Sequence, residues 1–134
     1  MKLAGLTVAY WSMITAAILP YACAVVAKRG GSAGARGQGA FDNHQPRAWL
    51  ARQTGWRARA NAAQANSFEA LPLFMAAVIV AHQLGANQVR LDLMAFLFVV
   101  LRMVYILMYL ADLATARSAV WALAFLVNLA IFFV

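Results

Sequence analysis

The sequence predicts an all-α integral membrane protein, a four-helix bundle formed as a single domain from all 134 residues. Three observations lead there. The chain is 65% hydrophobic and only 11% charged, whereas a soluble domain carries about 25% charged residues. The apolar residues fall into four blocks, about 3–27, 60–84, 91–113 and 118–134, and roughly 20 residues of helix cross the hydrocarbon core. Two of the three connections between blocks are only a few residues long, which makes successive helices antiparallel neighbours.

The first block has no charged residue between Lys2 and Lys28. It is too long for a signal-peptide core and lacks a small-residue cleavage pattern, so it reads as a retained span. The single cysteine, Cys23, lies inside it. It cannot form an internal disulfide and has no metal-ligand spacing, so a small buried hydrophobe is the expected role.

The connection 28–59 is long and basic, holding seven of the eleven Lys and Arg residues. Its glycine-rich run 30–39 is flexible by composition. The stretch 48–59, with Trp49 and Trp56, reads as an interfacial amphipathic lead-in to the second span. Basic loops stay on the cytoplasmic side, so this loop and the Arg117 turn are expected there, in the inner membrane, with the Gly85 turn facing outward. The net charge of +7 comes with no groove-reading motif, which argues against nucleic acid. His44 has no second ligand nearby in the sequence, and no metal site is expected.

The second block carries Glu69, an ionisable group at a depth where an unpaired charge costs roughly 2.5–3.5 kcal/mol by insertion scales. Asn66 lies three residues before it, on the same helical face. Pro72 follows and deprives the Phe68 carbonyl of its helical donor. The turn 85–88 carries Gly-Ala-Asn-Gln chemistry and ends this helix. In the third block Arg102, Tyr105, Tyr109 and Asp112 are spaced by three, four and three, forming one polar stripe. Glu69 is the expected ionic partner of Arg102, with Arg117 a second candidate. In the fourth block Ser118 is the expected N-cap. A cluster of Asn66, Glu69, Arg102, Tyr109 and Arg117 near one leaflet points to a polar binding site inside the bundle. The alternative is glue between helices. His82 is expected at the outer interface.

These residues resemble the family of membrane-associated proteins in eicosanoid and glutathione metabolism, MAPEG. The resemblance rests on Gln64-x-Asn66-x-x-Glu69-x-x-Pro72-Leu73-Phe74, on Arg102-x-x-Tyr105-x-x-x-Tyr109, and on Arg117-Ser118. The runs Asp42-Asn43-x-x-Pro46-Arg47 and 55–61 look like a bacterial branch of it. The resemblance implies a homotrimer with glutathione bound between neighbours, near the cytoplasmic side. Gln64, Asn66 and Glu69 would hold the peptide and amino groups of glutathione. Tyr105 and Tyr109 would add hydroxyl contacts, Arg102 would shape the site, and Arg117 would stabilise the thiolate. The implied activity is a glutathione transferase or peroxidase acting on lipophilic electrophiles. A non-catalytic membrane binding or assembly protein is the alternative. The family's glutathione-using members carry an arginine four residues before the asparagine, and here that position is Ala62. Arg59, one turn earlier, is a candidate replacement.

Overall fold

The computed structural model describes residues 2–29 and 41–134. The run 30–39, expected to be flexible, and Arg36 within it lie outside the described residues. Four helices are long and apolar enough to span a membrane, and the protein is a multi-pass membrane protein.

The chain opens with a feature the periodicity did not indicate. Lys2–Leu3 (β1) and Leu6–Thr7 (β2) pair antiparallel, with Leu3 opposite Leu6. Ala4 and Gly5 turn between them with φ of 51° and 82°, the two positive values that a two-residue type I′ hairpin turn requires. Thr7 then caps the first helix, its side chain accepting from Tyr10 N at 3.3 Å. The helix α1 therefore runs Val8–Lys28 and does not begin at position 3.

Beyond the undescribed run, Pro46–Ala51 forms a short helix, α2, with proline at its start, where a missing N–H costs nothing. The lead-in expected over 48–59 is split. Gly55, at φ 61°, turns the chain sharply, and α3 runs Gly55–Gln83 without interruption through Pro72. At 29 residues it is about 43 Å long. That exceeds the roughly 30 Å hydrocarbon core.

Gly85 closes α3 at φ 76°. Its N–H donates to the His82 carbonyl at 3.1 Å, and that of Ala86 to Ala81 at 3.0 Å, the paired bonds of a Schellman cap. Asn87 caps the next helix, α4 (Gln88–Leu110), accepting from Val89 N and Arg90 N. Asp112, at φ 62°, repeats the Schellman cap at the other end, with Leu113 N donating to Met108 O at 3.0 Å. The helix α5 then runs Ala114–Ala130 and ends in a 3-10 turn, Ile131–Phe133. Ser118 is not the N-cap. It lies within the helix, and its hydroxyl donates to the Ala114 carbonyl at 3.1 Å. Gly85→Ala places an L side chain in left-handed backbone with open space around its Cβ. The expected loss is about 1–2 kcal/mol, measured by thermal unfolding in detergent.

The helices α1, α3 and α4 pack together, and α5 leans on α4. The interfaces are built on small residues. Ala9, Ala16, Ala77, Ala81, Ala95 and Ala124 are all buried in the core around the stacked pair Phe74–Phe98, 4.2 Å between centroids. Small contacts let backbones approach closely, and in a bilayer this replaces the hydrophobic drive between helices. Large apolar side chains such as Leu93, Phe96 and Leu107 point outward, a surface that suits lipid.

Each end of the bundle is fastened by one carboxylate. Near the hairpin, buried Asp92 on α4 accepts from Ala9 N at 2.9 Å and from Gln88 Nε2 at 2.8 Å. This anchors the start of α1, whose free amide groups favour a negative charge. At the other end Arg59 Nε donates to the Leu110 carbonyl at 3.1 Å, and its Nη1 lies 3.7 Å from Asp112. Asp112 therefore sits on the rim and not in the polar stripe with Arg102, because α4 ends at Leu110.

Candidate functional site

The helix α5 meets α3 mainly at its far end, where the 3-10 turn packs on α3. Toward Arg117 the two helices leave a cleft floored by α4. Two compartments share it, joined at Asn66 and Trp121.

The outer compartment, about 240 Å³, is lined by Asn66, Tyr105, Tyr109, Arg117, Ser118 and Trp121. The Arg117 guanidinium lies 4.2 Å over the Tyr109 ring. The Arg102 guanidinium lies 4.4 Å over the Tyr105 ring. The two tyrosines meet edge to face at 5.6 Å. Both cations are thus held on one aromatic pair, an arrangement that fixes a guanidinium without neutralising it. Arg117 occupies the first turn of α5, its own N–H already bonded to the Leu113 carbonyl at 2.9 Å. Its charge and the positive end of the helix dipole act on the same space.

The inner compartment, about 150 Å³, lies deeper between α3, α4 and α5. Asn66, Glu69, Leu73, Phe98, Arg102, Trp121, Phe125 and Asn128 are among its lining residues. Arg102 is only 3% exposed. Its Nη2 donates to Asn66 Oδ1 at 2.9 Å and to Ser67 Oγ at 3.3 Å. Asn66 Nδ2 in turn donates to Glu69 Oε2 at 3.3 Å. The expected direct pairing of Glu69 with Arg102 is corrected by this geometry. Among the described residues the two form no ion pair, and Asn66 bridges them. Helix geometry gives the reason. The face of α3 buried against α4 passes through Ser67, and Glu69, two residues on, is turned about 200° from it. Glu69 is exposed and borders the inner compartment. Nor does Arg117 pair with it among the described residues.

Six of the seven residues singled out in the sequence line this cleft: Asn66, Glu69, Arg102, Tyr105, Tyr109 and Arg117. Gln64 does not. Two positions from Asn66, it lies on another face of α3 and lines neither compartment. Arg59, one turn before Ala62, is engaged at the rim with Leu110 and Asp112. Sequence reasoning passed over Ser67, Trp121 and Asn128. Asn128 left a legible signal, being the only amide in the apolar run 119–134. Cys23 is buried and free, as its setting implied, and exposed His82 packs edge to face with Tyr10 near the hairpin.

No curated protein and no solved structure matches the chain significantly. A family model does, over nearly its whole length. The match covers residues 8–134 and therefore all four spans and every residue of the cleft, so the chain belongs to the MAPEG family.

Proposed function

We propose that this protein binds glutathione in the outer compartment and presents its thiolate to lipophilic electrophiles, as a transferase or peroxidase of the inner membrane. The observation that carries this reading is the convergence of Arg117, Tyr105, Tyr109 and Asn66 on one polar cavity that adjoins lipid-facing helices. A guanidinium held on an aromatic face and a helix amino terminus both favour a thiolate over a thiol. Asn66, shared by both compartments, and Glu69, on the adjoining inner one, complement the peptide and amino groups of the tripeptide. The exposed carboxylate of Glu69 and the outward face of Gln64 accord with a homotrimer in which a neighbouring protomer completes the site. The basic segment holding α2 then lies on the cytoplasmic side.

One observation favours a second reading. Ala62 offers no clamp for a carboxylate of the ligand, and Arg59 is committed to Leu110 and Asp112. On this reading the protein keeps the fold as a binding or assembly module without glutathione chemistry.

Calorimetric titration of the detergent-solubilised protein with glutathione decides between them. Saturable binding by the wild type, tightened about tenfold or more by Ala62→Arg through a restored charge-assisted contact, is expected from the first reading. Binding by neither protein would select the second.

A further inference from the structure

Two buried donors lie without acceptors at the end of the bundle where α1 stops. Trp49 on α2 is 2% exposed, and its Nε1 has no hydrogen-bond partner among the described residues. The Nε of Arg57, in the first turn of α3, is likewise buried and unpartnered among them. The two side chains are neighbours. The Arg57 guanidinium lies 6.0 Å from the Trp49 ring centre and 5.3 Å from that of Trp56. A buried donor without an acceptor is costly, so a pair of them marks a place for a partner. An indole N–H and a guanidinium donate and cannot accept. The missing partner is therefore an acceptor, and the charge of Arg57 selects an anionic one. The surroundings have the same sign. Lys28, in the last turn of α1, lies 5.0 Å over the Phe41 ring, which packs edge to face on Trp49 at 5.2 Å. Arg47 and Arg52 flank Trp49 in the chain and are exposed. Asp42 is the one acid in residues 41–59, and its carboxylate accepts from His44 N at 2.9 Å.

We infer that Trp49 Nε1 and Arg57 hold the phosphodiester of an acidic phospholipid. The place favours a lipid over a free anion. The site lies where the apolar run of α1 gives way to Lys28 and Arg29, the level at which headgroups meet a span. Trp56, beside the guanidinium, is 42% exposed, and Trp and Arg both favour that interface. An apolar groove of about 340 Å³ between α1 and α4 includes Ala60, one turn after Arg57, with Val26, Met103 and Leu110 among its walls. A headgroup at Arg57 can therefore lay an acyl chain along it. The cations around the site attract an acidic headgroup and repel the choline of a zwitterionic one. None of these residues lines the cleft, so the site stands whether or not glutathione binds there.

The test uses the intact protein, delipidated in neutral detergent and without glutathione, so its failure leaves the thiol reading untouched. Phosphatidylglycerol and phosphatidylcholine with the same acyl chains are titrated, and bound lipid is read by native mass spectrometry. Phosphatidylglycerol is expected to bind about tenfold or more tightly. Trp49→Phe keeps the ring and loses the N–H, and is expected to weaken that binding about three- to tenfold. Arg57→Gln is expected to weaken it about 10–100-fold. Arg52→Gln removes an equal charge nearby and is expected to cost less than about fivefold. Equal affinity for the two lipids, or equal losses in Arg52→Gln and Arg57→Gln, would overturn the inference. Displacement of the lipid by inorganic phosphate beyond that by chloride at equal ionic strength would assign the site to a free anion and overturn it too. If the variants do not fold, the wild type is labelled with phosphatidylglycerol carrying a photoreactive headgroup. The label is expected on the segment 46–59, and labelling confined to other segments would overturn the inference.

Discussion

Arg117→Ala is expected to lower glutathione-dependent conjugation about 10²–10³-fold, the usual cost of removing one preorganised group that stabilises developing negative charge. The expectation comes from how Arg117 is held. Its guanidinium rests on the Tyr109 ring at 4.2 Å and has no carboxylate partner among the described residues, so its charge remains available to a ligand. An arginine consumed by an ion pair would have little to offer a thiolate.

The same variant makes a pH prediction with a definite sign. A nearby cation lowers a thiol's pKa, and a free thiol titrates near about 8.5. In the wild type the rate is expected to reach its plateau below that value. In Arg117→Ala the midpoint is expected to move up toward it, so that part of the lost rate returns at alkaline pH. Arg117→Lys keeps the charge but not the planar stacking on Tyr109, and an intermediate midpoint is expected. A rate–pH profile with the same midpoint in all three proteins would remove Arg117 from thiolate stabilisation, whatever happened to the absolute rate.

The spans were legible because bilayer thickness imposes one strong requirement on apolar length, and the four blocks meet it. The errors fall where local backbone chemistry outweighs hydropathy. Leu3 and Leu6 are as apolar as the helix that follows, yet Ala4-Gly5 turns the chain back and Thr7 starts the helix. Gly55 begins α3 five residues before the apolar block, because the turn at its positive φ and not hydropathy sets the start. Ser118 has the right chemistry for a cap, but the helix had already started at Ala114 behind the Schellman turn of Asp112. In the cleft, the spacing of Asn66, Glu69, Arg102, Tyr105 and Tyr109 put them on helix faces that line one cleft. Which of two acids or amides a buried arginine would choose was not legible. It depends on the angular offset between Ser67 and Glu69 relative to α4, a tertiary quantity. Asn128 was overlooked because a single amide in an apolar run carries no periodicity, although its burial cost is as informative as that of a charge.

Arg102→Met separates a built site from mere glue between helices. Replacing a buried ionic group by an apolar side chain of similar length is often neutral or even stabilising, because the desolvation cost of the charge disappears. The groups left behind are not stranded. The Ser67 hydroxyl keeps its bond to the Ala63 carbonyl at 2.8 Å, and Asn66 keeps Glu69 and is only half-buried. Stability is therefore expected to stay within about 1–2 kcal/mol of the wild type. Ligand binding is a different matter. Arg102 fixes the Asn66 amide through a charge-assisted bond at 2.9 Å, and such bonds contribute about 1.5–3 kcal/mol each. Losing it frees Asn66 to rotate at the junction of both compartments, and affinity for glutathione is expected to fall about 10–100-fold. Were Arg102 present only to hold α3 against α4, the opposite pattern would appear: a clear drop in melting temperature with no change in ligand affinity at temperatures where the variant is folded. Thermal unfolding and calorimetry on the same preparation read both quantities. An arginine kept at hydrocarbon depth despite its desolvation cost, and dispensable to the fold, is the signature of a charge retained for what it binds.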